Sequence, residues 1–387
     1  MSIRRIAALL PLLALLQADP VSAAAIEEQM RALEKLRGLN FTGSVRTVTI
    51  PRTDLPARLR EQFMKTLPYS TQEWEMVMRA LHLVDAPADD LITPMLDLFQ
   101  SQVLAFYDPY TRTYYAVREL PEVAQGLVPA GVLEESVAIH ELMHALQDQQ
   151  FALGKKDFEL RTDTDANLAY HALLEGEATL VMLAHLAGKS GGSLDDIISN
   201  DFLLSTLAAA GASDALMGGS TPRYFREILK FPYLEGLRFV VEAYRRGGWA
   251  EVNRIHANPP KSTREVLHPE EYFERRFKPE KFDDKPPSWV QPSVIEHLGE
   301  FHWGFAAGRE NARGWLSDRV MIAQDAACEP TVLVETRWES PEAAQRFLGG
   351  YSKFLEDRNV ATLTAIDGGR VKVAYGADRK LMERFLE

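Results

Sequence analysis

The chain has 387 residues, of which 46% are hydrophobic and 25% are charged, and its net charge is −12 at pH 7. This length and ordinary globular composition predict two or three domains. Because the net charge is negative and no basic run is long enough to grip phosphates, the sequence argues against nucleic acid as a partner.

The first residues have the pattern of a signal peptide. Arg4 and Arg5 precede an apolar run from Ile6 to Leu16, and Val21-Ser22-Ala23 fits a small-x-small cleavage site. The apolar run has about eleven residues, short of the ~20 that are needed to cross a bilayer. We therefore expect residues 1–23 to be removed and the mature protein to be exported, periplasmic or secreted, without a stable membrane span.

Cys328 is the only cysteine, which excludes an intrachain disulfide and a zinc site built from thiolates. We expect this residue to be a small member of the hydrophobic core. Any metal ion must then be held by histidine and carboxylate side chains.

The patterns before residue 103 are mainly helical. They predict a helix from Ala24 to Arg37, a strand from Phe41 to Ile50, and helical structure from Arg58 to about Gln100 with breaks at Pro68, Pro87 and Pro94. Residues 24–102 are therefore predicted to form a helical N-terminal region.

Two aromatic and β-branched runs follow and predict a hairpin. They flank the turn sequence Asp108-Pro-Tyr-Thr, and a loop is predicted from Pro121 to Gly131. A strand beside a metal-binding helix can accept an extended peptide as an added edge strand. A purely structural hairpin fits the same pattern, so both interpretations stay open.

The next predicted helix carries His140-Glu141-Leu-Met-His144, an instance of H-E-x-x-H, and no proline or glycine interrupts Leu133 to Phe151. Histidines four residues apart lie on one helical face, about 6 Å apart along the axis, so both can reach one zinc ion at ~2.0–2.1 Å. Glu141 lies about 100° round the helix, where its carboxylate can take a proton from a metal-activated water. Two partly exposed histidines on an ordinary surface helix are the alternative.

After a predicted loop from Ala152 to Thr164, a second helix is predicted from Asp165 to Ala187, with Asp163 or Asp165 as its cap. A carboxylate within a largely apolar helix is costly unless it is paired or bound to a cation. Glu175 follows His144 by 31 residues, a suitable distance for completing a His, His, Glu site. A stripe of surface acids is the alternative interpretation.

Glu175 competes with Glu177 for the role of third ligand. The two lie about 200° apart round the helix, so one helix cannot direct both at the same metal ion. The neighbours of Glu175 at three and four residues are mostly small or polar and would allow close helix packing, whereas those of Glu177 are apolar. We prefer Glu175, in which case Glu177 needs a partner such as a backbone donor or an arginine.

H-E-x-x-H followed by a helix with E-G-x-A resembles the gluzincin metallopeptidases, the group that includes thermolysin and a class of aminopeptidases. Within that group, the segments at 140–149 and 174–178 are similar to a set of exported, little-characterised prokaryotic metallopeptidases, which also carry a segment like 259–269. The resemblance covers roughly Val103 to Phe277. It implies one zinc ion per chain, held by His140, His144 and Glu175, and a peptide or protein substrate. The chain lacks the G-A-M-E-N-like segment of the aminopeptidases.

Hydrolysis of a peptide also needs a donor for the oxyanion besides the metal. His268, His256 and Tyr233 are candidates because they follow the third ligand at a distance that lets the chain return. We rank His268 first because it lies in the resembling segment. Two other functions stay open, namely a catalytically silent zinc-binding scaffold or chaperone, and a zinc hydrolase that acts on a non-peptide bond such as a cell-wall cross-link. Retention of Glu141 favours an enzyme over the scaffold.

The rest of the chain changes character near residue 290. A helix is predicted from Tyr224 to Arg246, broken at Pro232 and ended by Gly247 and Gly248. The Pro- and Lys-rich segment at 278–292 is predicted to be a domain boundary. Strands are then predicted at Val320–Gln324, Thr331–Trp338, Ala361–Ile366 and Val371–Tyr375, with a helix capped by Ser340. The predicted fold is α+β and mainly helical, with a zincin-like core at 103–290 and a small α+β module at 291–387 for packing or substrate docking.

Overall fold

The computed structural model describes residues 23–67, 69–84, 91–119, 130–201, 204, 221–277, 282 and 285–387. Its helices, numbered in chain order, are α1 (Ala23–Arg37), α2 (Leu55–Thr66), α3 (Thr71–Ala80), α4 (Ile92–Gln102), α5 (Ala130–Phe151), α6 (Leu153–Leu160), α7 (Thr164–Lys189), α8 (Leu194–Ile198), α9 (Arg223–Ala257), α10 (Thr263–Leu267), α11 (Pro269–Phe273), α12 (Gly299–Ala307), α13 (Arg309–Ala312), α14 (Pro341–Glu356) and α15 (Arg379–Leu386). Its strands are β1 (Arg46–Ile50), β2 (Ala105–Asp108), β3 (Thr113–Val117), β4 (Val294–Glu296), β5 (Trp315–Gln324), β6 (Pro330–Trp338), β7 (Leu363–Asp367) and β8 (Arg370–Gly376). This part of the chain is α+β and mainly helical, as predicted.

The predicted signal peptide lies outside these residues except for its last position, and so does most of the predicted loop at 121–131. Two of the three prolines expected to break the early helices, at positions 68 and 87, also lie outside them. None of the helices that the structure describes is long and apolar enough to cross a membrane.

The first sheet has three strands in the order β1-β3-β2, with β1 parallel and β2 antiparallel to β3. The predicted hairpin is therefore confirmed, and every residue of its two strands is buried. Helix α5 packs on this sheet, where Ala138 and Leu142 share an apolar cluster with Tyr114. Strand β2 lies at the edge of the sheet and next to α5.

Helices α7 and α9 touch through their backbones. A Cβ added to Gly176 would lie 2.2 Å from the carbonyl of Gly236, and one added to Gly236 would lie 2.0 Å from the carbonyl oxygen of Ala172. Real Cβ atoms do not approach so closely, so only glycine fits at either position. The paired glycines bring α9 directly against the turn of α7 that carries Glu175.

The predicted break of α9 at Pro232 is wrong. The helix continues from Arg223 through this buried proline. Loss of one backbone donor is tolerated here because Phe231 and Leu237, on either side, are packed in one core cluster with α7. The predicted end at Gly247 and Gly248 is confirmed, since both have non-helical dihedral angles. A second helical segment, counted within α9, follows this kink and reaches Ala257.

Two further local predictions are corrected. Residues 152–164 are not all loop, because α6 lies between Ala152 and Asp163. Ala152 has a left-handed φ of 57° that separates α6 from α5. At the start of α7, the Asp163 carboxylate accepts from the N–H of Ala166 at 2.9 Å, which confirms the predicted cap. Pro94 does not end a helix but lies in the first turn of α4, where its missing N–H sacrifices no helical hydrogen bond.

The second sheet is antiparallel, with strands in the order β4-β5-β6-β8-β7. The four predicted strands are confirmed, although β5 begins at Trp315, five residues before its predicted start. Ser340 caps α14 by accepting from the N–H of Ala343. Strand β4 and the helices α12, α13 and α15 were not predicted. The core under this sheet also includes Val77 and Met78 of α3 and Tyr224 of α9, so the C-terminal module shares its core with the helical region.

Cys328 is exposed, which overturns the expectation that it belongs to the core. Its φ of 63° places it in the left-handed region. Its N–H donates to the carbonyl of Asp325 at 3.0 Å within the turn between β5 and β6. The demands of this tight turn, rather than side-chain hydrophobicity, determine where the residue lies.

Candidate metal centre

The structure brings His140 and His144 of α5 together with Glu175 of α7. The Nε2 atom of His140 lies 3.0 Å from Oε2 of Glu175 and 3.3 Å from Nε2 of His144. The Nε2 atom of His144 lies 3.4 Å from the same carboxylate oxygen. Within the part of the chain that the structure describes, this is the group of three side chains whose donor atoms could hold a metal ion.

The three donor atoms have the separations that a tetrahedral zinc ion requires. Four ligands at ~2.0–2.1 Å from zinc lie about 3.3 Å from one another, by the geometry of a tetrahedron. The observed separations of 3.0, 3.3 and 3.4 Å are close to that value. Two imidazoles and one carboxylate are also a usual ligand set for a zinc site that keeps one position open. The residues present therefore fit zinc.

The two histidines stabilise the charge of Glu175. Burial opposes ionisation of Glu175, but His144 and His140 outweigh it and hold the pKa of this carboxyl group well below its ordinary value. Burial likewise opposes a charged His144, but Glu175 and Glu141 raise its pKa to about 9. A metal ion that binds here must displace that proton, so its affinity falls as the pH is lowered.

Glu141 is fixed by the edge strand of the small sheet. Its Oε2 atom accepts from the backbone N–H of Tyr107 at 2.9 Å. Burial raises the pKa of the Glu141 carboxyl group, while His140, His144 and the Tyr107 N–H act in the opposite direction. The Tyr107 hydroxyl also donates to Asp148, two turns further along α5, at 2.9 Å. One strand residue thus holds α5 on both sides of His144.

Tyr233 is the one of the three oxyanion-donor candidates that lies beside the metal ligands. Its ring stacks on that of His140, with a distance of 6.0 Å between the ring centres. Its phenol has a pKa well above the ordinary value because protein surrounds it and because Glu175 and Glu141 are close. The residue as a whole is 37% exposed, so Tyr233 lies at the boundary between the metal ligands and solvent. It is three residues before Gly236, at which α9 touches α7.

His268 and His256 are placed elsewhere. The ring of His268 contacts the carboxylate of Glu300 at 2.7 Å and lines a cleft of about 770 Å³ between α9 and the C-terminal helices. None of the three metal-ligand candidates lines that cleft. His256 is buried, stacks on Phe151 and contacts Glu177. Sequence position alone could not separate these histidines from Tyr233.

Glu177 is fully buried and has the arginine partner that its position required. Its Oε1 atom accepts from Nε of Arg37 in α1 at 2.5 Å. Its Oε2 atom accepts from the ring of His256 and from Nε2 of Gln147, each at 2.6 Å. Although burial opposes ionisation, Arg37 and His256 hold the pKa of Glu177 below its ordinary value. Glu177 therefore lies behind the metal ligands, and its carboxylate is already neutralised.

The sequence analysis did not single out Gln147, which links these two groups. Its Oε1 atom lies 2.9 Å from Nδ1 of His144, while its Nε2 atom contacts Glu177. It lies one turn after His144 in the segment that follows the H-E-x-x-H motif. The sequence analysis also did not select His171, one turn before Glu175, whose ring contacts Asp157 at 2.9 Å.

Comparisons with known proteins find a similarity to a family only for the C-terminal part of the chain. Residues 272–382 match a family model described as a domain of unknown function, DUF8575, which is less than a third of the chain and excludes the three metal-ligand candidates. No curated protein and no solved structure matches the chain. The C-terminal module is thus similar to a family whose function is not described, and any function of the chain has to be argued from its own site.

Proposed function

We propose that the protein is an exported zinc-dependent metallopeptidase with a zincin-like core. The observation that carries the proposal is the convergence of His140, His144 and Glu175 at separations suited to zinc, with the carboxylate of Glu141 beside them. The core would consist of the small sheet, α5 and α7, with the catalytic carboxylate held from the edge strand. The signal-like pattern of the first residues supports export.

When bound, zinc supplies a Lewis acid and lowers the pKa of a water molecule toward neutrality. Glu141 is the general base. Its Oε2 atom is occupied by the N–H of Tyr107, so Oε1 is the oxygen that takes the proton from water as the water oxygen adds to the peptide carbonyl carbon. The same oxygen then returns the proton to the departing amide nitrogen as the carbon–nitrogen bond breaks. The fixed Oε2 keeps the carboxylate in place through both transfers.

Tyr233 takes the role of oxyanion donor in this proposal, in place of His268. Its ring lies against His140, and its hydroxyl group is close enough to Glu175 and Glu141 to be influenced by both. A phenol donates one hydrogen bond while it is protonated, which suits a developing negative oxygen. The partial exposure of the residue leaves this side of the site open to a substrate.

The hairpin could also guide the substrate. Strand β2 is at the edge of its sheet and its Tyr107 contacts the general base, so a peptide added along this edge would pass the reacting centre. Because all residues of β2 are buried, a peptide can bind along this edge only after the segments that pack against the strand have moved. Strand addition remains a prediction, beside the purely structural role of the hairpin.

The decisive experiment replaces Glu141 by Gln in the chain that begins at residue 24. The amide keeps the size of the side chain but cannot act as the base, so we expect zinc content to persist and hydrolysis to fall by at least ~10²-fold. Zinc is measured by elemental analysis, and hydrolysis by profiling on a denatured proteome and on cell-wall fragments. Glu135→Gln is the matched control, because Glu135 is in the same helix but pairs with His185 and Lys189.

The outcomes separate the alternative functions. Hydrolysis that persists at the wild-type rate in Glu141→Gln would disprove the assignment of the base. A protein that holds about one zinc ion but hydrolyses neither substrate class would favour a silent scaffold or chaperone. Cleavage confined to cell-wall fragments would favour a zinc hydrolase for non-peptide bonds. Absence of stoichiometric zinc from the wild-type protein would reject the metal site itself.

A further inference from the structure

The amide of Gln147 lies between a candidate metal ligand and a buried ion pair. On one side its Oε1 atom lies 2.9 Å from Nδ1 of His144. On the other side its Nε2 atom lies 2.6 Å from Oε2 of Glu177 and 3.2 Å from the carbonyl oxygen of Leu174. Gln147 is fully buried, so water does not compete for these contacts.

These contacts determine which way the amide faces. Carboxylate and carbonyl oxygens only accept hydrogen bonds, so the amide NH₂ must point toward Glu177 and Leu174. The reverse orientation would set the amide oxygen against two other acceptors in a buried site. The oxygen of Gln147 therefore faces His144, so Nδ1 of His144 must carry a proton to donate to it, in the charged ring and in the neutral one. Nε2, which faces His140 and Glu175, is then the nitrogen that gives up its proton when a metal ion binds.

Glu177 is held in place independently of the metal ligands. Arg37 from α1 and His256 from α9 contact its two oxygens, and Arg37 Nη2 also donates to Asn253 at 2.6 Å. The guanidinium group of Arg37 lies over the ring of Trp249, 4.5 Å from its centre. Two other helices, α1 and α9, thus fix the ionised carboxylate of Glu177, which in turn fixes the amide of Gln147.

We propose that Gln147, anchored on Glu177, is a positioning residue that holds His144 in the tautomer with its proton on Nδ1 and with Nε2 free to bind a metal ion. Outer hydrogen bonds of this kind orient metal-binding histidines in other proteins, and their loss weakens metal affinity by ~10–100-fold. The consequence for zinc rests on the proposed function. The hydrogen bond that fixes a proton on Nδ1 does not, because it is present in the metal-free chain as well.

The test replaces Gln147 by Met, which has similar length but no acceptor for Nδ1. In the first measurement, the ring nitrogens of His144 are observed by ¹⁵N NMR in the metal-free protein, at a pH where this ring is neutral. We expect the wild-type ring to be protonated on Nδ1 and the variant to lose that preference. In the second, zinc affinity is measured by competition with a chromophoric chelator, and we expect the variant to bind ~10–100-fold more weakly.

Gln149→Met is the matched control, since Gln149 is in the same helix but contacts Thr42 and Gly43 instead of a metal ligand. It should change neither measurement. A wild-type ring protonated on Nε2 would overturn the proposal, and this result needs no variant that must fold. Unchanged tautomer and zinc affinity in Gln147→Met would also overturn it. If the tautomer depends on Gln147 but the wild-type protein binds no zinc, the positioning role stands and the proposed function fails.

Discussion

The region around His140, His144 and Glu175, here called the metal region, and the C-terminal module both contain buried carboxylates. The charges of these carboxylates are neutralised by different kinds of partner. In the module, Asp318 accepts from the backbone N–H groups of Leu298 and Gly299, and Glu335 is paired with Arg319 and Arg370. In the metal region, the ion-pair partners of Glu175 are two histidine rings. Backbone and arginine donors cannot give up their protons at ordinary pH, whereas histidines can, so of these three carboxylates Glu175 is the one whose partners can exchange a proton for a metal ion.

The two regions also differ in the pKa values of their buried histidines, for the same reason, namely the kind of partner each group has. In the module, His302 is fully buried without a carboxylate partner, and burial lowers its pKa to about 4. In the metal region, His144 lies beside Glu175 and Glu141, and its pKa is raised to about 9. Burial alone disfavours the protonated form of a histidine, whereas carboxylates beside a buried histidine stabilise that form. Burial beside carboxylates therefore favours a cation at His144, whereas burial without them keeps His302 neutral.

The largest expected effect separates the two glutamates of α7. Glu175→Ala removes a direct ligand, so zinc affinity should fall by more than the ~10–100-fold typical of an outer contact. Glu177→Gln should bind zinc at close to the wild-type level, because an amide oxygen can still accept from Gln147. Chelator competition on folded protein provides the measurement. Loss of zinc in Glu177→Gln together with its retention in Glu175→Ala would show that the ligand is the other carboxylate.

A smaller effect concerns pH and the C-terminal module. Between pH 6.5, the ordinary pKa of histidine, and about 4, His302 gains a proton in the unfolded chain but not in the folded one. Acidification through this window therefore favours unfolding, by about 3 kcal/mol in total, and the penalty is absent above pH 6.5. In His302→Leu, urea unfolding between pH 7 and 4 should show a correspondingly shallower loss of stability. Parallel pH profiles for the two proteins would contradict the prediction, whatever their difference at pH 7.

The smallest expected effects test the helix contact that brings Tyr233 to the site. Gly236→Ala places a Cβ against the carbonyl of Ala172 and should destabilise the fold by the ~1–3 kcal/mol typical of an overfilled core. In α14, a Cβ at Gly349 would meet nothing within 4 Å, so Gly349→Ala should instead stabilise by up to about 1 kcal/mol through helix propensity. Thermal unfolding compares the two variants. Equal effects of the same sign would mean that the close contact of α7 and α9 does not constrain the fold.

The parts of the site that depend on local geometry could be predicted from the sequence. Spacing within one helix places His140 and His144 on the same face, and the lengths of the next segments allow Glu175 to return to them. The requirement of a partner for Glu177 followed from the cost of an unpaired buried charge. Arg37 could not be identified as that partner, because it belongs to a helix 140 residues earlier in the chain.

Features that depend on contacts between distant segments could not be predicted. Tyr233 lies at the site because Gly236 meets α7, a contact that leaves no local pattern. Helix α6 was missed because its stability comes from contacts such as those of Asp157 with Tyr110 and His171. The exposed position of Cys328 follows from the geometry of a turn. Hydrophobic periodicity indicates the type of secondary structure and its buried face, but it does not show which distant segments pack together or where a tight turn places a residue.

The contact of Arg37 with Glu177 implies that the metal region assembles late in folding. Arg37 contacts Glu177, which lies 140 residues later in the chain, and Asn253, which lies 216 residues later. Closing loops of this length costs entropy before any contact compensates for it, so these pairings slow folding. A nascent chain therefore contains the H-E-x-x-H sequence long before the contacts of Arg37 with Glu177 and Asn253 can form. Under the proposed function, activity would arise only once α9 has emerged and docked, so an incomplete chain would lack it.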